Sequence, residues 1–228
     1  MTLRVPPRLW HVNHPHDVAD YSFVPTLLGR QALFTADGVL CAHELLFRAA
    51  GLKGARADYW NDVDQDHATD HVISAAFHQG VDVTLGLPVS INFTGTYLLS
   101  HAHLHCDPKN TIIEVVESTT TDDALLRRLR ELKAQGFRIA VDDFIGTPPQ
   151  VALLEVADFV KLDYRDVLSC GTWLVDMARR ESVAPVAERI ETRMEFDEAV
   201  ALGFKYFQGH YFEATVVLSV NAMDGYGL

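Results

Sequence analysis

Basic residues are scarce. Lys and Arg together number 19 against 31 Asp and Glu, a formal charge of −12. A surface that binds duplex nucleic acid needs a basic footprint to neutralise phosphates, so that class of partner is excluded. Cysteine is scarcer still. The chain holds 3, Cys41, Cys106 and Cys170, far apart and with no CxxC among them, which argues against a disulfide framework and for reduced thiols in a cytoplasmic protein. No apolar run approaches the roughly 18–20 residues of a membrane span. The opening MTLRVPPRLWHVNHPH places prolines and histidines where a signal peptide has its apolar core, so neither membrane nor export is expected. What is plentiful is apolar. At 48% hydrophobic, 10% aromatic and 22% charged, the composition is that of a globular chain, not of a disordered, collagenous or coiled-coil one.

The 228 residues leave room for two small domains or for one α/β barrel, a fold of roughly 200–250 residues. Residues 1–22 lack periodicity and read as a loose or docked leader, and residues 23–228 as one domain. The run Gln31–Phe34, the Asp37-Gly38 turn and Val39–Phe47 predict an opening β-hairpin. Short β-branched runs follow at Pro88–Thr94, Thr111–Ser118, Phe137–Phe144, Phe159–Tyr164, Val183–Glu191 and Tyr206–Phe212. Helical spacing fills the gaps at Asp66–Gln79, Asp122–Ala134, Pro149–Glu155, Val167–Arg180 and Thr192–Ala201. Strand and helix in alternation mean a parallel sheet. Without a GxGxxG after the first strand, a TIM-like (α/β) barrel is expected over a doubly wound dinucleotide fold. The Gly-rich end, Thr215–Leu228, is expected to fray.

Buried parallel strands resist polar groups, because a carboxylate in a low-dielectric core gives up its charge or needs a cation. Here nearly every strand run ends in one: Glu44, Asn92, Glu114 with Glu117, Asp142 with Asp143, Lys161 with Asp163, Glu188 with Glu191, and Gln208. Taken singly such residues are usually helix caps, but Glu is a weak cap and Glu44, Glu114 and Glu188 lie within apolar runs. Strand ends of a barrel converge on one mouth. Oxygen donors with one amide and one lysine are what Mg²⁺ or Mn²⁺ requires, and a pair of such ions suits a phosphodiester.

The ordered set Glu44-Leu-Leu-Phe-Arg48, Ile91-Asn-Phe-Thr94, Glu114-Val-Val-Glu-Ser118, Asp142-Asp-Phe144, Val160-Lys-Leu-Asp163, Ala187-Glu-Arg-Ile-Glu-Thr192 and Gln208-Gly-His-Tyr-Phe212 resembles the motifs of EAL domains, the cyclic di-GMP phosphodiesterases of bacterial signalling. Gly29–Phe34 and His43–Arg48 are similar to the branch often fused to an HDOD domain. The resemblance implies an EAL-type barrel that hydrolyses cyclic di-GMP to linear pGpG with Mg²⁺ or Mn²⁺. It makes Glu44, Asn92, Glu114 and Asp142 metal ligands, with Asp143 shared with a second ion. It makes Lys161 the group that orients or deprotonates the attacking water, Glu188 a further acid at that water, and Gln208 its neighbour. Glu117 and Glu191 become supports of the catalytic set, Arg48 a clamp on a ligand phosphate and Leu45 its companion at the ligand. Homodimers occur in this family. The loop Phe144–Gln150, with Pro148 and Pro149, departs from the Gly-rich, Ser-containing family loop, and Arg189 stands where a glycine is usual. The second reading is therefore a barrel that binds the nucleotide, or a protein partner, without cleaving it.

Other signals point elsewhere more weakly. His101, His103 and His105 have metal-ligand spacing but read as a solvated loop, because a histidine-based barrel hydrolase wants its HxH on the first strand. Tyr59 and Trp60, and the His71 and His78 pair, read as packing. The Arg127-Arg128-Leu-Arg130 run reads as a solvated helix face.

Overall fold

The computed structural model describes residues 26–48, 61–77 and 82–220. The expected leader, Tyr59, Trp60 and His78 lie outside the described residues. The chain opens on β1 (Thr26–Thr35), reverses through the Asp37-Gly38 turn, and returns antiparallel as β2 (Leu40–Arg48), with Gln31 opposite Glu44. Six further strands follow: β3 (Val89–Phe93), β4 (Thr111–Val115), β5 (Arg138–Val141), β6 (Phe159–Asp163), β7 (Ala184–Glu188) and β8 (Tyr206–Phe207). From β2 to β8 every neighbouring pair is parallel, and β1 closes the ring by bonding β8 on one edge and β2 on the other. The barrel forecast from alternating strands and helices is the barrel observed.

Outside the strands lie α1 (Asp62–Phe77), α2 (Gly95–Ser100), α3 (Asp123–Gln135), α4 (Pro148–Leu153), α5 (Tyr164–Cys170), α6 (Trp173–Arg180) and α7 (Arg193–Leu202). Their ends carry the caps the sequence advertises. Asp122 Oδ1 accepts from Leu125 N at 2.8 Å at the start of α3, which buries Leu125, Leu129 and Leu132 at helical spacing and stops at Gly136. Thr192 and Glu195 form a reciprocal capping box at the start of α7, with Glu195 Oε2 accepting from Thr192 N at 2.9 Å.

Three forecasts need correction. The helix expected over Val167–Arg180 is two, because Gly171 takes φ 104°, a conformation that ends α5 before α6 begins. The strand expected over Tyr206–Phe212 stops at Phe207, because Gly209, at φ 152°, opens a turn in which Phe212 N donates to Gly209 O. Val216–Val220, assigned to a fraying tail, forms β9 against the first half of β1, with Val220 buried. Its branched apolar residues outweigh the Gly-rich sequence after it, since β8 ends early and leaves that edge of β1 to be paired.

Two apolar layers result. The larger, between sheet and helices, holds Phe93, Ile113, Val115, Ile139, Val141 and Leu162. The smaller fills the barrel floor with Ala42, Ile112 and Ala140, flanked by Leu33 and Phe159. Alternate residues of β4 and β5 thus face opposite layers, which is why Ile112-Ile113 and Ile139-Ala140-Val141 are apolar at successive positions.

Candidate active site

Two residues past the floor, on the same inward face of each strand, the chemistry changes. Ala42 is followed by Glu44, Ile112 by Glu114, Ala140 by Asp142, Phe159 by Lys161, Val186 by Glu188 and Tyr206 by Gln208. One step of the β period therefore converts an apolar layer into a polar one at the C-terminal mouth. Lys161 is its centre. Its Nζ lies 3.2 Å from Glu44 Oε2, 3.3 Å from Asp142 Oδ1 and 2.9 Å from Glu188 Oε1, and it donates to Glu114 Oε1. Gln208 Nε2 donates to Glu44 Oε2 at 2.6 Å, and Ser90 donates to Glu114 Oε2. Asn92, level with Glu114 in the β3–β4 ladder, has a buried Oδ1 with no hydrogen-bond partner. Thr69 of α1 donates to the Asn92 carbonyl at 2.7 Å and fixes that strand end.

The electrostatics follow from one ammonium among four carboxylates. Burial opposes the charge on Lys161, but the surrounding acids outweigh it and hold its pKa well above the ordinary lysine value. Burial, reinforced by Glu44, raises Glu114 well above the carboxylate range against the pull of Lys161. Glu188 is pushed up to about 8, by burial first and then by Asp142 and Glu44, with Lys161 opposing. A single lysine leaves this group short of positive charge.

A second group adjoins it. Carboxylate oxygens of Glu117, Asp142 and Asp143 lie within 4.8 Å of one another, the one set of metal-ligand type found among the described residues. Asp143 occupies the left-handed region at φ 39°, between an Asp142 N–H bonded to Val115 O and a Phe144 N–H bonded to Lys161 O. Above both groups opens a cavity of about 380 Å³ rimmed by Arg48, Arg165 and Arg189.

The remaining expected residues take these positions. Glu191 is exposed and accepts from Arg165 Nη2 at 2.6 Å at the rim, away from Lys161. Arg48 borders the cavity and donates to the Phe47 carbonyl at 2.9 Å. Leu45 borders it too but is 1% exposed and belongs to the outer apolar layer, so its main contacts are with the core. Arg189 adopts φ 56°, where a glycine would be unstrained, and pairs with the buried Asp163 at 3.0 Å. His101 stacks on Tyr97, with ring centroids 4.0 Å apart, and joins no metal-ligand group among the described residues. Sequence reasoning passed over Ser90, Thr69 and Gln150. Ser90 was legible as the residue two before Asn92 on the same strand face, whereas Thr69 and Gln150 reach the site from helices and carry no such signal.

No helix of the described residues is long and apolar enough to cross a membrane. The chain is 31% identical over 201 residues to the uncharacterised protein YuxH of Bacillus subtilis, covering 84% of this chain and 48% of that one. It is 29% identical over 198 residues to the cyclic di-GMP phosphodiesterase CdgJ of Vibrio cholerae, covering 85% of this chain and 45% of that one. The chain thus spans about half the length of these relatives. Among solved structures, an EAL domain protein of Listeria monocytogenes superposes with a TM-score of 0.67 at 22% identity, over 84% of this chain and 88% of that one. Klebsiella pneumoniae BlrP1, in a complex with manganese and cyclic di-GMP, gives 0.67 at 21% identity, over 87% and 58%. The acid-rich mouth and the closing antiparallel strand lie on a barrel whose residues 66–215 match the profile of the EAL domain, and the chain belongs to the EAL domain family.

Proposed function

We propose that the chain hydrolyses cyclic di-GMP to linear pGpG by attack of water in line with the scissile phosphodiester. The observation that carries this reading is the ring of oxygen donors around Lys161 at the barrel mouth. Support comes from the Vibrio cholerae relative, named as a cyclic di-GMP phosphodiesterase, and from neighbours solved with that nucleotide and manganese or calcium.

The residues fit a hard divalent cation. The donors are all oxygen, the carboxylates outnumber the ammonium, and the buried Asn92 Oδ1 lacks a partner that a cation would provide. In this reading Glu44, Asn92, Glu114 and Asp142 hold one ion, and Asp143 with Glu117 faces a second. Bound Mg²⁺ or Mn²⁺ supplies polarisation of a phosphoryl oxygen and a more acidic water.

The chain's own groups do the rest. Lys161 stays protonated and presents an N–H to the attacking water and to the charge developing on phosphorus. Glu188, with Oε1 2.9 Å from Lys161 Nζ, adds a further acidic group at that water. Gln208, whose amide donates to Glu44, lies beside this group and helps to orient the water. Arg48 clamps a ligand phosphate at the rim, and the Arg165–Glu191 pair stiffens that rim on the β6–β7 side. Residues 23–228 act as one barrel domain in this reading, in the cytoplasm.

The test is a time course of cyclic di-GMP with purified protein in Mg²⁺, Mn²⁺ and Ca²⁺, products separated by chromatography, beside Glu44→Ala. Linear dinucleotide formed with Mg²⁺ or Mn²⁺ and lost in the variant is the expected result. Binding in Ca²⁺ with no turnover under any ion would make the barrel a nucleotide receptor, and neither binding nor turnover a protein-binding adaptor.

A further inference from the structure

Glu44, Glu114 and Glu188 stand on strands, whereas Asp142 and Asp143 follow the last residue of β5, and the chain beyond them is loop and the short α4. A loop leaves a carboxylate free to swing unless its backbone is tied down. Gln150, in the first turn of α4 and 4% exposed, does the tying. Its Nε2 donates to the Asp143 carbonyl at 2.8 Å and reaches the Asp142 carbonyl at 3.4 Å. Its Oε1 accepts from Ile145 N at 3.0 Å, Thr147 N at 3.3 Å and Thr147 Oγ1 at 3.1 Å. Backbone groups fix the orientation of this amide, since a flipped side chain would set oxygen against two carbonyls and NH₂ against two N–H groups. Together with the bonds from Asp142 N to Val115 O and from Phe144 N to Lys161 O, the amide accounts for the polar backbone on both sides of Asp143. Asp143 thereby keeps the left-handed φ of 39° that an Asp tolerates but does not prefer. The two prolines at the start of α4 donate no N–H, so they leave Gln150 as the group that closes the turn.

We propose that Gln150 is a positioning residue for the divalent-cation site: one buried amide locks the Asp142–Asp143 backbone so that both carboxylates are aimed before an ion arrives. The proposal rests on the metal-assisted reading above. It predicts that loss of the amide weakens ion binding more than it weakens the fold.

The experiment uses the full chain as wild type, Gln150→Met, Gln150→Glu and, as a stability control away from the mouth, Leu129→Ala on α3. Each is titrated with Mn²⁺ by calorimetry, melted without metal, and assayed for cyclic di-GMP turnover across Mn²⁺ concentration. Gln150→Met and Gln150→Glu are expected to fold and to bind Mn²⁺ about ten- to a hundredfold more weakly, the usual scale for losing a group that orients metal ligands. Their kcat should recover at saturating Mn²⁺, and Gln150→Glu should be the weaker binder, because it sets a carboxylate oxygen against two carbonyls. Leu129→Ala should melt earlier and keep wild-type Mn²⁺ affinity. Wild-type Mn²⁺ affinity in Gln150→Met, with only a lower melting temperature, overturns the proposal alone. Failure of the unaltered protein to bind Mn²⁺ or Ca²⁺ overturns the metal reading, and the positioning role with it.

Discussion

The two acid groups at the barrel mouth share Asp142 yet are built by different means. Glu44, Glu114 and Glu188 stand on paired parallel strands, are at most 14% exposed at the side chain, and meet the ammonium of Lys161. Glu117 and Asp143 stand just beyond strand ends, more open to solvent, and the loop that carries Asp143 is tied by a helix-borne amide. The strand-built group owes its geometry to ladder register, so it survives small local changes. The loop-built group depends on a few local hydrogen bonds, so it is the part of the site most sensitive to a change in the loop. A changed loop after Asp143 is therefore compatible with an intact first group.

The largest effect should come from Lys161→Met. On the proposed reaction, turnover falls by about two to four powers of ten while circular dichroism retains the barrel signal, because the lysine aids the chemistry and the strands hold the fold. Unchanged kcat would remove Lys161 from the mechanism and leave the first group merely structural.

Next in size is the pH response of the metal-free protein. Glu188 in the folded state is raised to about 8 from 4.5, and Glu114 is raised in the same direction. A carboxyl that binds its proton more tightly when folded contributes stability fully below the unfolded value and loses it as pH rises through the folded one. The melting temperature of the metal-free protein should thus fall as pH climbs from about 4.5 to about 8, and saturating Mn²⁺ should flatten that slope. A flat profile without metal would mean that the carboxylates are already neutralised.

A smaller loss, about 1–3 kcal/mol, is expected for Gly209→Ala by chemical denaturation. Gly209 has φ 152°, and a Cβ there would lie 2.1 Å from the Ile190 carbonyl oxygen, so the β7 and β8 loops would separate and draw Gln208 from Glu44. Its turnover should drop more steeply than its stability. The smallest effect belongs to Arg130→Ala, which removes an exposed pair with Glu155 and should change stability by under about 0.5 kcal/mol, with turnover unaltered.

Much of the fold and of the site could be read along the chain, and the misses have physical causes. Parallel strands buried on both faces are legible as apolar runs, and polar residues at their ends stand out because burial makes them costly. The break at Gly171 was hidden because α5 and α6 share one helical pattern across it. The strand at Val216–Val220 was hidden because its partner edge exists only once β8 has ended. Glu191 shares a motif with Glu188 in sequence, yet the chain turns between them and leaves it at the rim with Arg165.

By itself the sequence determined the alternating strands and helices of a barrel and the polar residues at its strand ends, Glu44, Asn92, Glu114, Asp142, Lys161, Glu188 and Gln208, because burial makes a polar group beside an apolar run costly and so conspicuous. Tertiary structure alone decided that Lys161 meets four carboxylates, that Glu117 joins Asp142 and Asp143, and that Gln150 holds the backbone beneath them. Those contacts join residues far apart along the chain or across a turn, where distance is set by how elements pack and no periodic pattern records it.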